Sequence, residues 1–406
     1  MSDPGLFSAE FARDPYPIYK TLRDDFPLFY HEGTKSWVLS RFEDVERALK
    51  DQAFSSENYA WQLEPVHGRT ILQMEGKEHA KQRSLLVPAF RGRDLRDKFV
   101  PVIERNAREL IDQFRDRGEV DLIDAFTKWF PINVIIEMLG LSRSDHRRIQ
   151  VWYSTIVDFF SNVTGDPGVI ARGLQTRKEL AEYILPIITD RRQNPGDDLL
   201  STLCTAEIDG ARMTDDEIRG FVSLLLAAGG ETTDKAVASV FKNLLDHPEQ
   251  LDAVRKDRSL VDKVFAETLR YSPPIHVISR MALKEVTMSG GVVPANAPVM
   301  CLLGSANRDD RRFADPEKFD IFRKDLDLER AFTGGANHTG FALGRHFCVG
   351  AILAKTEVQI ATNLLLDAMA DIRLADGSPP EEGSFVRAPK TLKLCFSPAV
   401  AGLPAA

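Results

Sequence analysis

The sequence predicts a mainly α-helical fold with small β-sheets, and three observations support this fold class. Apolar residues recur at three- to four-residue steps over long stretches in the middle of the chain, which is the spacing of amphipathic helices. Strand-like segments are short and lie near the two ends. No repeat, low-complexity tract or Gly/Ser-rich linker divides the sequence, so we expect a single domain over residues 1–406.

Each predicted element follows a local sequence pattern. Helical spacing occurs in the segments 99–117, 131–141, 175–192, 214–245, 251–271 and 352–369. The strand-like segments are 29–40, 286–303 and 391–398.

Composition is that of an ordinary globular protein and argues against several other classes. Hydrophobic residues make up 43% of the chain and charged residues 28%, so neither disorder nor a fibrous structure is expected. Lys+Arg 52 against Asp+Glu 60 gives a formal net charge of -8, which disfavours nucleic acid as the main partner. The longest strongly apolar window, "FVSLLLAAGG", is about half of what a membrane-spanning helix requires. The N-terminus lacks a signal-peptide pattern, so we expect a soluble protein that does not bind membranes.

The four cysteines, Cys204, Cys301, Cys348 and Cys395, have neither C-x-x-C nor zinc-ligand spacing. Neither a disulfide framework nor a zinc site is indicated, and a reducing cytoplasm fits best. Cys348 differs from the others because it lies between two glycines and directly ahead of a predicted helix. Backbone N–H groups and the helix dipole would there favour a thiolate. A buried structural cysteine explains these residues equally well when they are taken alone.

The stretch "AAGGETTD" lies inside the predicted helix 214–245. Each glycine costs about 1 kcal/mol relative to alanine in a helix interior, so a compensating role is expected. Thr232 can return its hydroxyl to a carbonyl one turn back, and Glu231 places an ionisable group beside an apolar face. The alternative is a crossing point where small residues let two helices approach.

Other charged residues carry weaker signals when they are read singly. Glu267 and Arg270 of "ETLR" form an i,i+3 pair of a kind that occurs by chance on many helices. A set of cationic or polar residues has no obvious carboxylate partners nearby in the sequence, namely His79, Arg83, Arg280 and His346. Each of these four, taken alone, is most simply a surface residue.

The order of these motifs resembles that of the cytochrome P450 haem-thiolate monooxygenases. The most specific match is the pattern F-x-x-G-x-x-x-C-x-G, which runs Phe341, Gly344, Cys348, Gly350. Ala342 stands where the family usually has glycine, and because alanine is small we expect little consequence. The resemblance extends from about residue 14 to residue 398, and it includes "YSPPIHVISR" and "ANRDDRRFADPEKFDIFR" between the "ETLR" pair and the cysteine loop.

The resemblance implies the cytochrome P450 fold, a triangular, helix-rich single domain in which haem lies between the long relay helix and the cysteine-loop helix. It places the haem-binding core at roughly 214–370 and the substrate-access segments at roughly 55–75 and 152–185. Cys348 would then be the proximal ligand of the haem iron, with Phe341 and Gly350 shaping the loop around the cofactor.

The same resemblance assigns the remaining site residues. Ala228 and Gly229 would face bound dioxygen, with Glu231 and Thr232 delivering protons. The two haem propionates would be bound by His79, Arg83, Arg280 and His346. A structural ion network behind the haem would consist of Glu267, Arg270 and Arg323.

The function implied is that of a monooxygenase with haem b as cofactor and O2 as co-substrate. It would insert one oxygen atom into a C–H bond or double bond of a small hydrophobic molecule, with electrons from a separate ferredoxin and ferredoxin reductase. One alternative is a peroxide-driven peroxygenase of the same fold. Another is a haem-binding carrier or recruitment protein without turnover. The sequence does not indicate the substrate, the specific redox partner or the oligomeric state.

Overall fold

The structure, a computed structural model, describes residues 4–162, 165–208 and 210–398. The ends of the predicted 1–406 domain, and residues 163–164 of the predicted access segment 152–185, lie outside the described residues. The chain forms two compact units. The first comprises Met1–Phe54, Ile103–Phe130 and Thr232–Ala406, and the second comprises Ser55–Val102 and Pro131–Glu231.

The first unit contains the larger sheet. Its strands are ordered Leu28–His31, Ser36–Leu39, Ala297–Leu302, Val277–Ala282 and Phe54–Ser55. The first two strands form an antiparallel hairpin. The third strand is parallel to the second and antiparallel to the fourth. Buried apolar side chains of these strands form a core with the helix Phe42–Lys50.

A smaller sheet lies near the C-terminus of the same unit. Its strands are ordered Met369–Leu374, Lys393–Pro398 and Glu119–Asp121. The pairing shifts register between Ala370 and Arg373, where Asp371 adopts a left-handed φ of 50°. Two-stranded ladders join Val286–Met288 to Gly291–Val293, and Glu381–Glu382 to Ala388–Pro389. The predicted strand segments 29–40, 286–303 and 391–398 therefore contain strands, as the sequence indicated.

Helices make up most of the remaining described chain in the first unit. Their bounds are Ala9–Arg13, Tyr16–Asp25, Phe42–Lys50, Pro248–Lys256, Val261–Tyr271, Leu303–Ala306 and Ala351–Ala368, with a π-helical turn at Ile123–Thr127 and 3-10 turns at Arg258–Leu260 and Gly344–His346. Three helices begin in one unit and end in the other, namely Val100–Ile111, Phe130–Met138 and Asp215–Asp246.

The prediction of one helix over 251–271 is wrong. The chain leaves helical geometry at Asp257, whose N–H still bonds to the carbonyl of Ala253. The Asp257 carboxylate then accepts the Ser259 N–H at 3.0 Å and starts a 3-10 turn that leads into Val261–Tyr271. A local cap therefore divides a segment whose apolar periodicity continues across the break.

The second unit is mainly helical. Its elements are Tyr59–Gln62, Glu64–His67, Gly76–Phe90, Gly92–Asp94, a π-helical turn at Leu95–Phe99, a 3-10 turn at Arg143–Asp145, His146–Phe160, Pro167–Gln193, Leu199–Thr205 and the short hairpin Glu207–Ile208 with Ala211–Arg212. Pro167–Gln193 begins eight residues before the predicted segment 175–192, because the Asp166 carboxylate caps the N–H groups of Gly168 and Val169 and Pro167 occupies the first turn.

No helix in the described parts of the chain is both long and apolar enough to cross a membrane.

A buried ion network ties the first unit together. Glu267 and Arg270, both fully buried, form a two-pronged pair with N···O distances of 2.7 and 2.8 Å. Arg323 adds a third charge at 3.1 Å from the Glu267 carboxylate. The guanidinium of Arg270 also donates to the carbonyls of Asn307, Pro316 and Lys318. Asp325 supplies a second carboxylate, at 2.6 Å from the Arg323 guanidinium, so the two positive and two negative charges balance. Such compensation is the condition under which buried ions are tolerated.

We expect Glu267→Gln to destabilise the protein by about 3 kcal/mol or more, because it leaves the fully buried Arg270 without its carboxylate and removes one of the two carboxylate partners of Arg323. The matched control is Glu46→Gln, since Glu46 pairs with Lys50 at 2.6 Å on an exposed helix face. Loss of that surface pair should cost less than about 1 kcal/mol. The free energy of unfolding of both variants, measured by urea denaturation, tests this difference. Equal losses would show that the buried network is not a main source of stability.

Candidate active site

The cysteine loop is closed by a backbone hydrogen bond between its two ends. The Cys348 N–H donates to the Phe341 carbonyl at 3.0 Å. Gly350 follows as the N-cap of the helix Ala351–Ala368, so Cys348 lies just before a helix N-terminus, where the sequence placed it. Between the two ends, residues 344–346 form a 3-10 turn. Cys348 itself is half-buried, so its sulfur is neither locked in the core nor fully in solvent.

Two residues of this loop adopt left-handed backbone conformations. Ala342 has φ 56° and Gly344 has φ 70°. A Cβ at Gly344 would lie 2.8 Å from the Leu49 carbonyl oxygen, so the glycine is required both for conformation and for space. The small size of alanine at 342 avoids a steric problem but does not remove the conformational one. The cost of Ala342 lies in its backbone conformation and amounts to about 1–2 kcal/mol.

The loop is anchored to the ion network through Asn307. The Asn307 carbonyl accepts from Arg270 at 3.0 Å, while its side-chain oxygen accepts the Thr339 N–H at 2.7 Å. The Asn307 amide group also donates to the Leu269 carbonyl at 3.0 Å. Thr339 lies two residues before Phe341, so Asn307 connects the buried charges to the start of the cysteine loop. Sequence reasoning missed Asn307, because no local pattern distinguishes it from a turn asparagine.

The other cysteines are poor candidates for a thiolate ligand. None of the four, all of which are described, forms a disulfide. Burial raises the pKa of Cys301 to about 12, although the nearby Arg280 acts in the opposite direction. Burial also raises the pKa of Cys204. Both groups are therefore held as thiols, and their side chains lie in the core.

The cysteine region also carries charges suited to an acidic ligand. Arg280 is almost fully buried on the strand Val277–Ala282, and within the part of the chain that the structure describes it donates one hydrogen bond, to the adjacent Ser279 carbonyl at 2.8 Å. Among the described residues no carboxylate lies within ion-pair distance of it. A buried guanidinium of this kind fits a carboxylate supplied by a ligand, such as a haem propionate. His346 is half-buried in the turn at residues 344–346.

The loop surface beside the sulfur can accept a flat ligand. A Cβ at Gly350 would meet only one described atom within 4 Å, the Cys348 sulfur at 3.9 Å. Every residue from Gly344 to Gly350 is half-buried. Phe341 packs its ring against Phe265 and Phe347 at 6.0 and 6.2 Å and so supports the loop from within. The residues of this unit therefore fit haem in donor type, charge and available space.

In the second unit, His79 and Arg83 lie one helical turn apart on Gly76–Phe90. Such i,i+4 residues share a face of a helix. His79 is buried and Arg83 half-buried. This helix does not appear in the sequence prediction, because it contains Pro88 and its apolar residues do not recur on one face.

The relay helix, Asp215–Asp246, matches the predicted segment 214–245 closely. Residues 218–227 and Gly230 are buried, whereas Ala228 is exposed and Gly229 half-buried. A Cβ at Gly229 would lie 2.8 Å from Ile135, and one at Gly230 would lie 3.2 Å from Tyr153. The glycines thus allow close helix packing, as the alternative interpretation held, while Ala228 leaves an open patch in an otherwise buried stretch. Glu231 and Thr232 are half-buried next to this patch.

Two further acidic groups beside the relay segment were missed by sequence reasoning. Glu357 is buried on the helix Ala351–Ala368, and Thr233 donates to its carboxyl at 3.4 Å. Burial raises the pKa of Glu357 to about 8, opposed only weakly by that hydrogen bond. Asp234 is also buried and accepts from Thr127 at 2.6 Å and from Lys235 at 2.8 Å. Both acids lie in apolar helical sequence, so only the tertiary contacts show that they are buried.

A family model described as Cytochrome P450 matches residues 18–396. The chain belongs to the cytochrome P450 family. The two most specific features predicted from the sequence, the cysteine loop and the relay helix, both lie within that match. As a cytochrome P450 the chain is a monooxygenase, and the family implies a haem cofactor.

Named relatives support the same classification. Pulcherriminic acid synthase of Bacillus subtilis (strain 168) is 38% identical over 394 residues, covering 96% of this chain and 97% of that protein. Cyclomarin C epoxidase CymV of Salinispora arenicola (strain CNS-205) is 32% identical over 406 residues, covering 98% and 99%. Among solved structures, that of P450BioI in complex with hexadec-9Z-enoic acid ligated acyl carrier protein matches with a TM-score of 0.86 at 27% identity, covering 96% of this chain and 99% of P450BioI. The predicted cytochrome P450 fold is therefore confirmed.

Two arginines whose charge could bind a substrate carboxylate are held by protein groups in this P450. Arg387 is buried and donates to the Ala12 and Arg13 carbonyls at 2.7 and 2.6 Å, so it fixes the end of an N-terminal helix. Arg69 pairs with Glu78 at 2.6 Å on the surface. These contacts leave neither guanidinium as a candidate substrate ligand.

Apolar residues that could line a substrate pocket differ in their surroundings. Val277 and Phe385 pack with a buried core cluster that includes Tyr19. Ile275 and Val386 are half-buried and are joined by an isolated antiparallel β-bridge. On the second unit, Phe159 and Phe160 are half-buried, and Trp61 is 55% exposed.

We expect Glu357→Gln to remove a pH dependence of folding stability. The folded chain keeps the proton of this carboxyl up to a pKa of about 8, whereas the ordinary group has a pKa of 4.5. The stabilising contribution is therefore fully present below the ordinary pKa and is lost as pH rises through about 8, at about 1.4 kcal/mol per pH unit. The unfolding free energy of the wild type, relative to the variant, should fall from about pH 5 to about pH 8 in urea denaturation.

The matched control for this measurement is Glu382→Gln. A hydrogen bond from Lys390 lowers the pKa of Glu382, so its carboxylate is ionised in both the folded and the unfolded state over most of the range from pH 5 to pH 8. The effect of that substitution should not change with pH. A pH-independent effect of Glu357→Gln as well would contradict the assignment of a buried protonated acid.

Proposed function

We propose that this cytochrome P450 uses haem b and O2 to hydroxylate or epoxidise a small hydrophobic organic substrate. The observation that carries the proposal is the position of Cys348 in its loop. Its loop is closed by a 3.0 Å backbone bond at the start of a helix, and its sulfur lies beside an open glycine. Two other cysteines are held as buried thiols. A half-buried sulfur near a helix N-terminus is the environment that favours a thiolate.

The roles of the cofactor-binding residues follow from this proposal. Cys348 would ligate the haem iron, and Arg280 with His346 would bind propionate from the same unit. His79 and Arg83 remain predicted propionate ligands from their positions in the resembling family. When bound, haem supplies the activation of dioxygen and the oxygen transfer to substrate.

The relay helix would supply the protons for this reaction. Ala228 and Gly229 would face dioxygen, which is supported by the exposure of Ala228 within a buried stretch. The Thr232 hydroxyl would hold a proton at its Oγ1 atom. The half-buried Glu231 carboxyl would exchange protons with solvent and resupply that hydroxyl.

The substrate is proposed to be apolar and to belong to secondary metabolism. Phe159, Phe160, Ile275 and Val386 are apolar and only partly buried, so they remain available as walls. Relatives named pulcherriminic acid synthase and cyclomarin C epoxidase support a natural-product precursor as the class of substrate.

Electrons are proposed to come from a separate ferredoxin and ferredoxin reductase in the cytoplasm. Residues 77–98 carry more cations than carboxylates, which would suit an acidic ferredoxin. They form an unconvincing docking surface, however, because several of these cations already contact carboxylates. Arg93 and Arg96 contact Asp97 at 3.2 Å, and Lys98 contacts Asp197. We therefore do not assign the ferredoxin surface to this segment.

Cys348→Ala should abolish the thiolate-type spectrum of the haem-loaded protein. The reduced carbon monoxide complex should lose its strongly red-shifted absorption, because the variant has no sulfur to ligate the iron. Cys395→Ala is the control, since Cys395 is also half-buried but lies on the sheet strand Lys393–Pro398. Retention of the red-shifted band in Cys348→Ala would show that the ligand is assigned wrongly.

Thr232→Ala should lower the amount of product formed for each electron consumed. Substrate binding and reduction should be preserved, while electrons are diverted to peroxide or water because proton delivery becomes disordered. The quantity to measure is product formed per reducing equivalent consumed. Thr232→Ser restores a hydroxyl and should recover most of the coupling. If Thr232→Ala is fully coupled, another group supplies the proton.

A further inference from the structure

A surface cavity in the second unit is not used by the proposed reaction. Its volume is about 480 Å³, which falls within the range of roughly 300–1,000 Å³ typical of small-molecule sites. One wall is the helix Pro167–Gln193, which contributes Leu174, Arg177 and Leu185 among others. The opposite wall is the first part of the relay helix, residues 215–219.

The helix wall presents apolar side chains to solvent. Leu174 is 46% exposed and Leu185 37% exposed, and Ala181 lies between them. With Lys178, these residues are separated by four, three and four positions, so they follow one face of the helix. Large aliphatic side chains that line a concave surface are available to hold a hydrocarbon chain.

Among the described residues that line the cavity, Arg177 is the cation without a carboxylate partner, since Lys178 pairs with Glu182 at 3.9 Å. Asp215 pairs with Arg192 at 2.7 Å, and Asp216 pairs with Arg219 at 2.8 Å. Arg177 has no carboxylate within ion-pair distance in the described chain. It donates instead to backbone carbonyls, at 2.9 Å for Pro65 and 3.5 Å for Glu64.

We propose that this cavity binds an amphiphilic anion, with a carboxylate on Arg177 and a hydrocarbon chain along Leu174, Ala181 and Leu185. A carboxylate forms stronger hydrogen bonds to a guanidinium than a backbone carbonyl does. The apolar wall would contact the hydrocarbon part of the ligand, and the half-buried Arg177 guanidinium would bind its carboxylate.

Occupancy of the cavity would also act on the predicted access segment 55–75. Arg177 holds the carbonyls of Glu64 and Pro65 in the short helix Glu64–His67. A bound carboxylate competes for that guanidinium and weakens its hold on the short helix. The ligand would therefore act as an effector that loosens this segment.

Photo-crosslinking of the haem-loaded protein tests the site without requiring turnover. The probe is decanoate with a terminal diazirine, and decanol with the same group is the uncharged control. We expect decanoate to label peptides covering 174–185 or 215–219. Arg177→Gln should lower the affinity measured from this labelling by at least about tenfold. Arg172→Gln changes an exposed arginine of the same helix outside the cavity and should leave the labelling within about twofold.

The substitution Leu185→Asn supplies a second test on a surface residue whose replacement does not disturb the core. It should weaken decanoate labelling while leaving the protein folded. Labelling confined to other segments, equal labelling by decanol, or labelling of 174–185 that Arg177→Gln leaves unchanged would overturn the proposal. None of these readouts depends on oxygen activation, so the result is separate from the proposed function.

Hydrogen exchange tests the effect on the access segment. The amides of His67 and Gly68 donate to the Leu63 and Glu64 carbonyls at 2.9 and 2.8 Å. Decanoate should speed exchange of these amides in the wild type, and Arg177→Gln should speed it without ligand. Unchanged exchange in both cases would overturn the effector role.

Discussion

The 3.0 Å hydrogen bond from the Cys348 N–H to the Phe341 carbonyl is the constraint on which the cysteine loop depends. It holds the sulfur half-buried at the start of a helix, but it can do so only if the start of the loop is itself fixed. Asn307 provides that support, because it bonds to Thr339 on one side and to Arg270 on the other. The fully compensated network around Glu267 is therefore a positioning device for the loop as well as a source of stability.

The relay helix packs closely against its neighbours at one point and leaves an exposed residue directly beside that point. Gly229 and Gly230 let Ile135 and Tyr153 approach more closely than any side chain would allow, which recovers packing energy lost to poor helix propensity. Next to them Ala228 remains exposed although the ten preceding residues, 218–227, are buried. Close packing of helices therefore explains the two glycines, whereas an open surface that could face a ligand explains Ala228, directly before them in the same helix.

Sequence periodicity predicted the relay helix almost to its ends, because a long apolar pattern with acidic residues in its first turn constrains both its type and its bounds. It failed at Asp257, where a single carboxylate cap outweighs a periodicity that continues on both sides. The left-handed φ of Ala342 could not be predicted from the size of its side chain, since φ depends on the path of the loop. Glu357 and Asn307 could not be assigned from sequence, because their roles arise from partners more than thirty residues away.

The hydrogen-bond acceptors around an arginine indicate whether it has a structural role or is a candidate ligand-binding residue. Arg270 and Arg387 are buried with several acceptors each, and their contacts join distant backbone segments. Arg280 is almost as buried, but among the described residues it donates to one carbonyl and meets no carboxylate, so an acidic ligand would compensate its charge. Arg177 lies half-buried at the cavity surface, also with carbonyl acceptors and no carboxylate in the described chain. Its desolvation costs less than that of Arg280, but the stronger hydrogen bond of a guanidinium to a carboxylate supports both proposals, Arg280 as a propionate ligand and Arg177 as a ligand for an anion.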